Sequence, residues 1–279
     1  MLSPRLPPQG VLAEAQAWLQ HALGQPALHA LRVARAVPGV FFTGVQLDNA
    51  VGGLCATPFR NAAGGPRPAL VQPLEAPVGR RASELLQDLH APQGLRRAFA
   101  VATLNALAET LWQREGPPAD ARVAQGDAFD MLQIAPGQQV VLVGAFPPYL
   151  QLLRRSGQPF QVLELDPAAL QPEELPFFVP AALAPQTVAR ADVLITTGTT
   201  LLNDTLDGLL AHRRQDARSA VVGPTTPLVA APFARRRISV VGGTRVRAPA
   251  ALLDFLAAGG PERRLPAGTV ERVCLCPLF

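Results

Sequence analysis

The sequence contains no lysine; all 25 of its basic residues are arginine. Many fall in scattered pairs such as Arg80-Arg81, Arg96-Arg97, Arg154-Arg155 and Arg213-Arg214, with one triplet at Arg235 to Arg237. No basic stripe with interleaved aromatics accompanies them. The net charge of +4 and the pI near 9.7 therefore read as a solvated arginine-rich surface, and nucleic acid is not an expected partner. Cysteine is nearly as scarce. Cys55, Cys274 and Cys276 are too few for a disulfide framework in a chain of 279 residues, which points to a reducing compartment. The opening "MLSPRLPPQGVLAEAQAWL" has no continuous apolar stretch followed by a small-residue cleavage site. No apolar run reaches the roughly 18 residues needed to span a bilayer, so the expectation is a cytoplasmic protein with no membrane partner. GxGxxG, GxSxG, HExxH and Walker motifs are all missing, which removes the usual signatures of dinucleotide, serine-hydrolase, zinc-protease and P-loop chemistry.

What is present is hydrophobic, at 48% of residues, and its spacing changes along the chain. Leu12, Ala15, Leu19 and Leu23 keep helical spacing, and Gly24 and Pro26 end that helix. "GVFFTGVQL" (39 to 47) and "AVGGLCATP" (50 to 58) read as a hairpin turning at Asp48-Asn49. The Gly- and Pro-rich stretch 61 to 80 reads as a loop. "RASELLQDL" (81 to 89) has Ser83 as a candidate cap, and "GLRRAFAVATLNALAETLWQ" (94 to 113) is the strongest helix of the first half. "REGPPADARV" (114 to 123) reads as a linker. Beyond it, "QQVVLVGAF" (138 to 146), "PFQVLELD" (159 to 166), "ADVLITTG" (191 to 198), "SAVVGPTT" (219 to 226) and "RISVVGGT" (237 to 244) are short, continuously apolar runs. Helical segments such as "PPYLQLLRRSG", "TLLNDTLDGLLAHRR" and "PLVAAPFARR" separate them. Continuous rather than alternating hydrophobicity implies strands covered on both faces. The expected fold class is α/β: a Rossmann-like parallel sheet over residues 121–279, preceded by a smaller α+β domain over 1–120.

In such sheets ligands collect beyond the carboxyl ends of the strands. There the first strand offers Gly144, and the second ends in Glu164 and Asp166. The latter is positioned either to hold a hydroxylated ligand or simply to face solvent. The third strand runs into Gly198, Thr199, Thr200, Asn203, Asp204 and Thr205, and the fourth into Gly223, Pro224, Thr225 and Thr226. Helix caps need one side chain each, and these two clusters exceed that need, which makes them a candidate ligand-binding rim. The four histidines, His21, His29, His90 and His212, lie in or beside helices, away from predicted strand ends. Cys274-x-Cys276 offers either two soft ligands to a metal, short of the four of a structural zinc site, or two small apolar residues in a terminal strand. Cys55 reads as a core residue. Catalytic residues and metal ligands remain unassigned.

"ADVLITTGTTLLNDTLDGLL" (191 to 210) and "VVGPTTPLVAAPFARRRISVVGGTRV" (221 to 246) resemble the characteristic segments of the DUF364 family, labelled a heavy-metal chelation domain. "GVFFTGVQLDNAVGGLCATP" and "AVATLNAL" (100 to 107) resemble the companion domain DUF4213. The resemblance implies an enolase-N-terminal-like domain followed by a Rossmann-like one, with the site in the interdomain cleft. Gly198, Thr199, Thr200, Asn203 and Thr205 match the first motif, and Gly223, Pro224, Thr225, Thr226 and Pro227 the second. Asp204 stands where the family usually has Gly, which implies an added carboxylate or a strained backbone if that position needs a positive φ. Asn105 matches a family Asn and is either a cross-domain hydrogen bond or a ligand contact.

Hydroxyls and amides are poor donors to heavy metals, which prefer thiolate or imidazole. The first expectation is therefore a binding protein for a metal ion, a metal chelate or an anionic small molecule in the interdomain cleft. The alternative is a Rossmann-scaffold enzyme acting on a nucleotide-bearing or phosphorylated small molecule through Glu164 or Asp166. A structural or assembly role is third, and a homodimer is the oligomer left open.

Overall fold

The computed structural model describes residues 10–58, 76–260 and 265–279. Most of the loop expected over 61 to 80 lies outside them. The chain begins with α1 (Val11–Leu23) and α2 (Gln25–Ala30), which meet at Gly24. β1 (Val33–Pro38), β2 (Phe42–Leu47) and β3 (Gly52–Ala56) form a three-stranded antiparallel sheet in that order. α3 (Ala82–Leu85) and the long α4 (Leu95–Glu115) follow. Ser83 lies inside α3, whose N-cap is Arg81.

The rest of the chain builds an eight-stranded sheet. Its strands are β4 (Ala121–Gln125), β5 (Val140–Val143), β6 (Phe160–Glu164), β7 (Phe178–Pro180), β8 (Val193–Thr197), β9 (Arg218–Val222), β10 (Val240–Val246) and β11 (Val270–Pro277). The helices between them are α5 (Ala128–Met131), α6 (Pro147–Ser156), α7 (Ala184–Val188), α8 (Thr199–Leu202), α9 (Leu206–Leu210), α10 (Ala231–Ala234) and α11 (Pro249–Ala257). The spatial order is β4-β11-β10-β9-β8-β5-β6-β7. Six adjacent strands from β10 to β7 are parallel, while β11 is antiparallel to both β10 and β4. The sheet is thus mostly, not wholly, parallel. β4 occupies the end of the segment expected as a linker.

The apolar strands sort their residues by the two-residue pleat. Val141, Leu194, Val221 and Val241 join one core cluster with α1, α4, α8 and α9. Val140, Leu142, Ile195, Ala220 and Val240 join a second cluster with α6 on the opposite face. The first cluster also contains Val45, Leu47 and Cys55 of the small sheet, so one continuous core joins the two halves of the chain.

The contact between α4 and β3 explains the Gly-Gly pair in "AVGGLCATP". A Cβ on Gly53 would stand 2.0 Å from the Ala102 carbonyl oxygen and 2.4 Å from the Ala106 nitrogen. The helix backbone lies directly on the strand, and only glycine leaves room for it. Gly53→Ala is expected to cost about 3 kcal/mol through overpacking against backbone that cannot yield. Gly208→Ala, in α9 with open space around its Cβ position, should be neutral or stabilising by up to about 1 kcal/mol. Urea unfolding of both variants decides this: equal midpoints would mean that the α4–β3 approach does not constrain the fold.

Candidate functional site

α4 has 21 residues, of which 14 are buried, and its apolar surface alone would make it a core helix. Three of its buried residues are strongly polar: Arg97, Asn105 and Glu109. Their spacings of eight and four residues put them on one helix face. Each finds its partner in the eight-stranded half of the chain, as buried polar groups must. Glu109 accepts from Arg245 Nε and Nη2 at 2.7 and 2.8 Å, and the Arg245 guanidinium also lies 4.3 Å from the Trp112 ring centroid. Asn105 Nδ2 donates to the carbonyls of Leu54 at 2.8 Å and Pro224 at 3.0 Å. Arg97 donates to both carboxylate oxygens of Asp204 and to the Leu201 carbonyl.

Asn105 thus makes a hydrogen bond between the small sheet and the "GPTTPL" loop. Thr225 reinforces it, since its buried hydroxyl accepts from the Ala56 N–H at 3.0 Å. Asn105 Oδ1 and Thr226 Oγ1 are buried with no hydrogen-bond partner. The latter lies beside Gly198, 2.7 Å from where a Cβ would project. The other strand-end residues separate into two groups. Gly144, with φ +93°, lets the Thr197 side chain close over it, and Thr197 and Thr199 share a hydrogen bond of 2.6 Å between hydroxyls. This tip lies between β5 and β8, where the chain, having run outward through β6 and β7, returns to the other side of β5. Such a reversal opens a crevice in an α/β sheet. Thr200 and Asp204 face away from it, into a different cleft.

The acidic residues of β6 are used locally. Glu164 accepts from the N–H groups of Ala145 and Leu165, both at 2.7 Å, and Asp166 caps Ala168 N at 3.0 Å. The Gly144 N–H is taken by the Leu163 carbonyl at 2.9 Å, and Glu164 covers the next amide after β5, that of Ala145, where a nucleotide phosphate would otherwise be received.

The expected single helix "TLLNDTLDGLL" is broken at residues 203 to 205. Asp204 has φ +56°, and the Thr205 N–H reaches the Thr200 carbonyl at 3.0 Å. That six-to-one bond, closed over a left-handed residue, is a Schellman ending of α8 with Asp204 in the position where glycine is the usual choice. In the amide orientation that satisfies both ends of its carboxamide, Asn203 Nδ2 donates to the carbonyls of Thr199 and Thr200 at 3.3 and 3.1 Å and to the Thr205 hydroxyl at 2.7 Å. Asn203 and Thr205 thereby tie the turn that aims Asp204 at Arg97.

A cleft of about 620 Å³ opens there, between α1, the turn at Leu89-His90, Arg97 and the α8–α9 junction. Its polar lining is Gln16, Gln20, His90, Arg97, Thr200, Asp204 and Asp207. Behind Asp207 a buried network fixes the wall. Arg236, with a fully buried side chain, bonds Glu14 of α1 at 2.9 Å and Asp207 of α9 at 2.5 Å. Of these residues Gln16, Gln20, His90, Arg97 and Asp207 were not marked by motif. The polar spacing along an otherwise apolar α4 was the available signal for Arg97.

The donor set does not fit a bare heavy-metal ion. Among the described residues no three His, Cys, Asp or Glu side chains are placed to hold one. Two of the three thiols are also buried: burial pushes Cys55 and Cys274 up to about 12, which disfavours the thiolate that a metal needs. Cys274 and Cys276 lie in β11 and contribute to the second core cluster.

With the geometry in place, the chain can be set beside known proteins. The family model DUF364, described as "Putative heavy-metal chelation", matches residues 127–274, just over half the chain. DUF4213, with the same description, matches residues 21–108. An uncharacterized protein of Methanocaldococcus jannaschii is 28% identical over 153 residues, covering 54% of this chain and 55% of that protein. The chain therefore spans about half the length of the curated relative it matches. Crystal structures of two DUF364 proteins of unknown function share the fold. One, from Desulfitobacterium hafniense, has a TM-score of 0.71 at 22% identity and covers 97% of this chain and 100% of its own. The other, from Pyrococcus horikoshii, has a TM-score of 0.69 at 15% identity, with coverages of 95% and 98%.

The stitching by Thr225 is measurable. Thr225→Val keeps the shape but leaves the Ala56 N–H unpaired in the core, at an expected cost of about 2 kcal/mol, read as a lower urea midpoint at unchanged slope. Thr225→Ser retains the acceptor and should lose less than half as much. A larger loss in Thr225→Ser than in Thr225→Val would mean that the methyl, not the hydroxyl, holds the loop.

Proposed function

This chain belongs to the DUF364 family, and from that premise we propose that it binds a small anionic molecule, in particular a metal already held by a small chelator, in the cleft lined by Arg97. The family's description supports a metal-binding role at its coarsest. The single observation that carries the finer reading is the composition of the cleft. One buried guanidinium, an imidazole and two carboxylates share about 620 Å³ without converging into an ion cage. A metal whose inner ligands come from its chelator needs only outer contacts from the protein. Arg97 offers charge to the chelator's anionic groups, while Gln16, Gln20 and His90 offer donors around the rim. The proposal treats residues 1–120 and 121–279 as two domains with the ligand where they meet. An enzyme acting on a phosphorylated substrate would want the amides after β5 free, and those of Gly144 and Ala145 are taken by the Leu163 carbonyl and Glu164.

The test is elemental analysis of untagged protein purified without added chelator, joined to mass spectrometry of the small molecules released on denaturation. Metal and an organic chelator are expected together in near-equal amounts. Both should fall at least tenfold in Ala17→Trp, which fills the cleft from an exposed position on α1. A nucleotide without metal, or metal unaffected by Ala17→Trp, would sink the proposal.

A further inference from the structure

Arg97 is an unusual group to find under a cleft. Its side chain is 7% exposed, and its charge is permanent. A buried cation requires a counter-charge, and among the described residues the carboxylate that supplies it belongs to Asp204, whose side chain is 70% exposed. The two ends of this pair are held very differently. The guanidinium is anchored from behind, with Nη2 also donating to the Leu201 carbonyl at 3.1 Å. Asp204 projects from a left-handed turn residue where the backbone would favour glycine. Nothing but its carboxylate recommends aspartate there.

The guanidinium is also incompletely satisfied. Nε is buried and has no hydrogen-bond partner, while Asp204 covers only the Nη1–Nη2 edge. Arg97 and Asp204 both line the same cleft.

We propose that Arg97 is the receptor for a carboxylate of the ligand, and that Asp204 is a resident stand-in which the ligand displaces. The idea rests on the reading of the cleft as an anion site and adds to it the ligand's chemistry and its competitor. A planar carboxylate entering the cleft meets the same two-pronged donor that Asp204 now fills. The Leu201 carbonyl keeps the guanidinium oriented during the exchange. Asp204 loses little on release, because its exposed carboxylate is hydrated as it swings into solvent. A ligand with two or more carboxylates can occupy the Nη pair and also reach Nε, which a single aspartate does not. The favoured class is therefore a di- or tricarboxylate, free or carrying a metal. Displacement sets a threshold: a monocarboxylate would have to match an intramolecular competitor already in place, whereas a polycarboxylate gains the additional donor.

The experiment is calorimetric titration of citrate into wild-type protein, Asp204→Gly, Asp204→Asn and the double variant Arg97→Gln/Asp204→Gly, each checked for native melting. Asp204→Gly preserves the left-handed turn and removes the competitor, so citrate should bind at least tenfold more tightly than to wild type. Asp204→Asn should show a smaller gain in the same direction. The double variant should lose the gain, and acetate should bind none of the four measurably. If the double variant does not fold, the two single variants decide the matter. Citrate affinity unchanged in both Asp204 variants, or a gain retained without Arg97, overturns the displacement. Failure of the cleft reading itself is seen elsewhere, in the metal and chelator content of the wild-type protein, which is measured independently of any Asp204 variant.

Discussion

The structure depends on a helix that carries charge through the core. Along one face of α4, Arg97, Asn105 and Glu109 are each buried, and leaving any of them without a partner would cost more than most single packing defects. Each partner comes from the larger sheet or its connecting loops: Asp204, the Pro224 carbonyl and Arg245. The pairings fix where α4 lies relative to β8, β9 and β10. Gly53, by admitting the helix backbone onto β3, fixes where the small sheet lies relative to α4. Two halves with separate secondary structure thereby acquire one core and one relative placement.

The cleft is a by-product of that placement. With α4 pinned at Arg97, the α8–α9 junction is held against the first turn of the helix, and α1 closes the opposite wall through Glu14 and Arg236. The polar residues that a strand-end motif would group together are divided by this arrangement. Thr225 and Asn105 are consumed in joining the halves, Thr197 and Thr199 pair with each other over Gly144, and Asn203 and Thr205 tie a turn. Thr200 and Asp204 are the members that reach the cleft.

Much of the fold was legible because burial leaves a periodic trace. The helix Val11–Leu23 has the bounds its apolar spacing and Gly24 indicated, and five sheet strands coincide with continuous apolar runs. The strands outside those expectations differ physically. β1 is an outer strand of the small sheet whose residues are mostly half-buried or exposed. β4 is an edge strand whose residues are only partly buried, and β7 is three residues long and ends at Pro180. β11, expected only as one reading of Cys274-x-Cys276, opens with Val270 and Glu271 half-buried and Arg272 exposed before its apolar part. None of them needs the two-faced apolar run by which central parallel strands are recognised. The break at Asp204 was invisible to periodicity for a related reason. Leu201, Leu202, Leu206, Leu209 and Leu210 remain buried on both sides of it, so the apolar spacing reads through a residue whose φ has changed sign.

Sequence by itself determined the local chemistry: a lysine-free surface, cysteines too few for a disulfide framework, strands apolar enough to be covered twice, and hydroxyls gathered at strand ends. These follow from residue type and spacing along the chain. Tertiary structure decided which of those polar groups remain available. Whether a threonine is a staple or a rim residue depends on what lies opposite it, and for Thr225 that is the Ala56 amide, 169 positions away. The partner of Arg97 is 107 positions away, and no spacing rule relates the two. Folding brings a permanent charge under a cleft and a carboxylate over it, and that meeting gives the site its chemical character.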